Sequence, residues 1–188
     1  MRMLLPVLLL IPSLGLAHSG AGAQGSFAAG AAHPLSGADH VLAMLAVGLW
    51  AALLSGRALW LLPAGFVGAM ALGFGAATQG VPLPAVEPLI LASAPILGLL
   101  VALAARPPLA IAVALTAGFG LFHGHAHGAE IGAATAGGYL AGFASVTMGL
   151  HLAGMAMGLA IARGASPGAL RGGGAVVAAL GAWLVTAG

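Results

Sequence analysis

The sequence predicts an all-α polytopic membrane protein, with six transmembrane helices behind a cleavable signal peptide. Three observations lead there. Of 188 residues, 61% are hydrophobic and only 4% are charged, whereas a water-facing surface needs roughly 25–35% charge. Apolar runs of the length needed to cross a ~30 Å hydrocarbon core recur along the whole chain. The arginines fall in alternate breaks between those runs, as a membrane topology requires.

Residues 1–17 read as a secretory signal peptide. Arg2 supplies the positive start, Leu4 to Leu10 the apolar core, and Gly15-Leu16-Ala17 a small-residue cleavage site. Residues 18–188 then form one transmembrane domain, with spans near 33–55, 58–79, 88–105, 108–128, 133–161 and 169–187. Span 5 is long enough to tilt. The breaks are Ser55-Gly56-Arg57, Gly80 to Pro84, Arg106-Pro107-Pro108, Gly128 to Gly132 and Arg163 to Gly172. With the mature N-terminus outside, Arg57, Arg106, Arg163 and Arg171 all lie in cytoplasmic connections, which satisfies the positive-inside rule. Both mature termini are then periplasmic, in a bacterial inner membrane. Trp50 and Trp60 flank the first cytoplasmic turn as interfacial anchors would, and packing explains a lone Trp equally well. Gly120, Gly124, Gly128 and Gly132 recur every four residues, and Gly138/Gly142 and Gly154/Gly158 repeat the spacing; such stripes bring helices close together. Two groups of three spans have opposite orientation, the arrangement of a 3+3 inverted repeat, with spans 1 and 4 in corresponding places.

Composition also excludes function classes. A net charge of +2 carried by arginine alone is too small for nucleic-acid binding. The chain has no cysteine, which removes disulfides, thiolate zinc sites and iron–sulfur clusters. A metal site here must use imidazole and oxygen, a donor set that suits Ni, Co, Zn, Cu(II) and Fe.

Such donors are present, in two clusters. The first runs from His33 to Asp39-His40. The second is Phe122-His123-Gly124-His125-Ala126-His127-Gly128-Ala129-Glu130. An ionisable group in a bilayer costs about 3 kcal/mol on insertion scales, so both clusters read as functional. At 100° per residue His33, His40 and Met44 share a face of span 1, with Asp39 a quarter-turn away and the first turn made irregular by Pro34 and Gly37. His123, His127 and Glu130 share a face of span 4, and His125 points roughly opposite. Thr147, His151 and Met155 form a deeper polar line on span 5. The topology puts both clusters in the outer half of the membrane, and the C-terminal end of span 4 favours a cation there. His151 reads equally as a helix–helix hydrogen bond or as part of a path. Met44 and Met155 read as core, or as path ligands. His18 is the first mature residue, a tail residue or an early chelator. Glu87 reads as solvated in a Pro-rich outer loop.

These residues resemble the two signatures of the HupE/UreJ family of nickel transporters: His33-x5-Asp39-His40 and Phe122 to Glu130. The resemblance covers nearly the whole chain, the Thr147 to His151 stretch included. It implies inner-membrane uptake of Ni(II), with Co(II) the ion of some related proteins. It places the metal on His33, Asp39, His40, His123, His127 and Glu130, while His125 holds a variable place in the motif. The partners it implies are the divalent ion and the lipid bilayer, with no nucleic acid, no permanently bound cofactor and an oligomer allowed by the glycine stripes.

The expected function is therefore a secondary permease, not an enzyme. No GxxxxGK[ST] motif occurs, so the chain does not hydrolyse nucleotide. The alternative is a zinc-dependent intramembrane hydrolase in which His123, His127, Asp39 and His40 hold an activated water and Glu130 serves as base. A sensor subunit that binds metal without moving it is the third reading.

Overall fold

The computed structural model of the chain describes residues 23–164 and 167–187. The signal peptide at 1–17, His18 and Arg2 lie outside the described residues. Seven helices follow one another: α1 Ala23–Ser36, α2 Ala38–Leu54, α3 Ala58–Thr78, α4 Val86–Ala102, α5 Leu109–Ala129, α6 Ala136–Gly164 and α7 Pro167–Ala187. No strand occurs among the described residues. Helices α3, α5, α6 and α7 are long and apolar enough to cross a membrane, and α1 with α2 qualifies as a fifth when the bent pair is taken as one span. Helix α4 is apolar but has 17 residues, about 25 Å at 1.5 Å per residue.

Glycine decides how these helices pair. Cβ atoms built on Gly120, Gly124 and Gly128 would overlap the α3 backbone at Phe66, Met70 and Phe74 in turn, so α5 lies parallel to α3 at backbone contact. Gly154 meets Leu45 and Gly158 meets Ala52, which sets α6 parallel to α2. Gly174 meets Ala102 while Gly181 meets Pro95, which sets α7 antiparallel to α4. Replacing Gly124 with alanine should lower the thermal unfolding midpoint in detergent, because the methyl meets rigid backbone and overpacking costs about 1–3 kcal/mol. Gly118→Ala on the same helix should leave it unchanged, since nothing lies within 4 Å of that position. Gly132 leaves the stripe: it has φ +55 and an open surround, and it serves the turn after α5.

Three expectations need correction. The span placed at 33–55 is not one helix. Gly37 is extended, at φ −108 and ψ 122, and the axes of α1 and α2 meet at 85°. Pro34 cannot donate a helical hydrogen bond and Gly37 is free to leave the helix, so the two together turn the chain. The 29-residue α6 packs on both halves of the bent pair: its N-terminal part on α1, where Gly142 meets Phe27 and Ala31, and its C-terminal part on α2. Trp50 is not an interfacial anchor. It is fully buried, and its indole N–H donates to the Ala105 carbonyl at 3.0 Å; Trp60, 68% exposed, does face outward. Glu87 is not a loop residue. It sits in the first turn of α4.

Candidate functional site

The bend at Gly37 and the end of α5 meet at one end of the bundle. They enclose a cavity of about 450 Å³ lined by His33, Asp39, His40, His125, His127 and Glu130, with Glu87 on its α4 side. Five of the six residues expected to hold a metal are thus together. The sixth, His123, lies a turn deeper on α5 and is fully buried.

Each group is positioned by local structure. His33 comes from the last turn of α1. Asp39 is in the first turn of α2 and Glu87 in the first turn of α4, where helix N-termini favour anions. Glu130 is not on the α5 helical face, as the i, i+7 spacing suggested. It is the residue that ends α5, and its own N–H bonds back to His127 O. Its side chain is 60% exposed, and the turn swings its carboxylate over the helix end. The free carbonyls of that last turn add negative potential at the same level.

The distances describe a ligand cluster with a support. Glu130 Oε2 is 3.6 Å from His33 Nε2 and 3.8 Å from His127 Nδ1. His33, His127 and Glu130 each offer one ligand atom within 4.8 Å of the others. Bonds of about 2.1 Å set ligand–ligand edges near 3.0 Å in an octahedron and near 3.4 Å in a tetrahedron, so the two edges to Glu130, at 3.6 and 3.8 Å, and the His33–His127 edge must all close for the three atoms to share one cation. Behind them, His40 Nδ1 lies 3.0 Å from Asp39 Oδ1, and the two Nε2 atoms of His127 and His40 are 2.9 Å apart. The carboxylate favours the proton on His40 Nδ1. In the tautomer with the shared proton on His127 Nε2, the His127 Nδ1 lone pair faces His33 and Glu130. Asp39 and His40 thus stand behind His127 in the place that outer-shell partners of ligating histidines take.

Below the cavity the polar line continues inward. The His40 and His123 rings are 5.0 Å apart. His123 Nδ1–H donates to Phe119 O at 2.8 Å, and its Nε2 has no partner. The Phe66 ring stands 5.3 Å from His123 and 4.9 Å from His151. Both ring nitrogens of His151, and the Thr147 hydroxyl oxygen, are buried and unpartnered. Met44 is fully buried and, unlike His33 and His40, is not on the cavity wall. Met155 is likewise buried, with its backbone against Gly48.

His125 does face another side of α5 from His127: its Nε2 pairs with the Val81 carbonyl at 2.8 Å. It nevertheless reaches the cavity rim. Glu87 is exposed, as a solvated residue is, yet it also lines the cavity, which the sequence does not indicate. The available signal was its rarity, as one of three acids in the chain.

A family model described as HupE / UreJ protein matches residues 6–184. The chain is 44% identical over 150 residues to Protein HupE of Rhizobium leguminosarum bv. viciae, a match spanning 79% of this chain and 78% of the relative. No solved structure matches it.

Proposed function

The chain belongs to the HupE/UreJ protein family, and from that premise we propose that it is a permease for Ni(II), with Co(II) a second cargo, carrying the ion inward across a bacterial inner membrane. The observation that supports this most is the meeting of two sequence-distant motifs: the Nε2 atoms of His40 and His127, 87 residues apart, are 2.9 Å from each other beside His33 and Glu130. A hydrated cation enters the outer cavity and exchanges part of its water shell for His33 Nε2, His127 Nδ1 and Glu130 Oε2. The Asp39 and Glu87 carboxylates, both on the cavity wall, balance its charge. Neutral imidazoles and carboxylates form a site of the borderline type that Ni(II) and Co(II) favour. The ion then passes inward by His123 toward His151 and Thr147, and no ligand is soft enough to trap it.

The topology behind this reading has six spans, with α1–α2 as the first and the short α4 as the third. Parallel α2/α6, parallel α3/α5 and antiparallel α4/α7 are the relations that six alternating spans produce. They also support the 3+3 inverted repeat. Exchanging α2 with α5, α3 with α6 and α4 with α7 turns the α2/α6 pair into the α5/α3 pair and returns α4/α7 to itself. The hydrolase reading gains less. Glu130, its proposed base, sits among the candidate ligand atoms, and His123 is held a layer deeper by Phe119 O.

Purified protein in liposomes tests the proposal through uptake of Ni(II), Co(II) and Zn(II). Ni(II) entry well above Zn(II) entry is expected. His125→Ala should reduce it by less than His127→Ala does, because His125 is engaged with Val81 and is not among the closely spaced ligand atoms. Tight binding with no entry in the unmodified protein would reject the permease in favour of a sensor or hydrolase.

A further inference from the structure

The opposite end of the bundle carries the reverse chemistry. All three acids of the chain, Asp39, Glu87 and Glu130, line the outer cavity. The arginines gather at the inner end, and among the described residues none of them has a carboxylate within ion-pair distance. Two adjoining cavities lie there. One, of about 360 Å³, is lined by Arg57, Arg106 and Ser55. The other, of about 580 Å³, shares Ser55 and Arg106 and adds Arg171. The Arg171 Nε–H donates to the Ala102 carbonyl at 2.9 Å, which holds its guanidinium at the cavity and leaves the two terminal nitrogens free. Helices α3, α5 and α7 begin at this end and α2, α4 and α6 finish there, so the helix dipoles offset one another and the positive potential comes from the arginines.

We infer that this is a binding site for an anionic phospholipid, with the phosphate held by Arg106 and Arg171 and an acyl chain along the cavity wall. A cation is excluded by the charge. Arginine forks match phosphate oxygens, and basic crevices between transmembrane helices at the cytoplasmic face take lipid headgroups. The walls argue for lipid over free phosphate: Leu53, Leu159, Ile161 and Leu170 line the larger cavity, and Leu159 and Ile161 are half-buried there. The inference rests on the membrane location of the chain and not on the cargo of the outer site.

The test uses the full chain, delipidated in a neutral detergent and titrated with phosphatidylglycerol, phosphatidylcholine or inorganic phosphate. Bound lipid is counted by native mass spectrometry, and the unfolding midpoint is read in parallel. Phosphatidylglycerol should bind and raise the midpoint, phosphatidylcholine should bind at least tenfold more weakly, and inorganic phosphate should do little. Arg106→Gln with Arg171→Gln should weaken phosphatidylglycerol at least tenfold. Arg106→Gln alone, a change at one exposed residue, gives an intermediate loss in a chain that folds. Equal binding of both lipids, full phosphatidylglycerol binding by the double variant, or stabilisation by inorganic phosphate equal to that by lipid would each overturn the assignment.

Discussion

His127→Ala should reduce Ni(II) uptake by about 100-fold or more while leaving protein levels near normal. Losing an outer-shell partner of a ligating histidine already costs 10–100-fold, and His127 is both a candidate ligand and the joint between two clusters. It meets Glu130 through Nδ1 at 3.8 Å and His40 through Nε2 at 2.9 Å. Its removal opens the ligand set and leaves His40 without its cross-motif partner. Asp39→Ala and His40→Ala act one step back, by freeing the His127 ring to rotate and swap tautomer. Each should also abolish uptake, yet Ni(II) binding measured by titration calorimetry should persist, weakened, in these two and vanish in His127→Ala. Normal transport in any of the three variants would break the site assignment.

Much of this arrangement is legible in the sequence because a membrane chain spends so few polar residues. Apolar run length gives helices near the observed α3, α5, α6 and α7, and four-residue glycine spacing marks the close α3/α5 contact before any partner is known. The motif residues stand out for the same reason, and alternating direction places both clusters at one depth. What is not legible depends on contacts between distant segments. Pro34 and Gly37 show that the first span is irregular, but a bend of 85° reflects α1 lying on the outer part of α6. Trp50 has the composition of an interfacial anchor, and only the Ala105 carbonyl turns it inward. Glu87 follows Pro84 and Ala85 in what reads as a loop. Its place at the cavity is set by how α4 leans on α2 and α5, which local pattern does not encode.

The inner polar line gives the sharper test of movement as distinct from binding. His151→Leu should leave Ni(II) binding at the outer cavity unchanged and cut uptake at least tenfold. His151 is fully buried, with both ring nitrogens unpartnered, and Thr147 one turn outward is unpartnered too. An orphaned buried polar group costs about 1–3 kcal/mol. If His151 served only as a helix–helix hydrogen bond, the described structure would show its partner, and leucine would destabilise the protein. If it serves a passing ion, leucine fills a similar volume, removes the orphaned atoms, and leaves the unfolding midpoint equal or higher while transport fails. Phe66 sharpens the contrast, since its ring touches both His123 and His151 and marks where an ion leaving the outer imidazoles must find its next donor. Thr147→Val, nearly isosteric, should reproduce a milder form of the same separation. Uptake by His151→Leu at the unmodified rate would end the inward path at His123 and send the ion by another route.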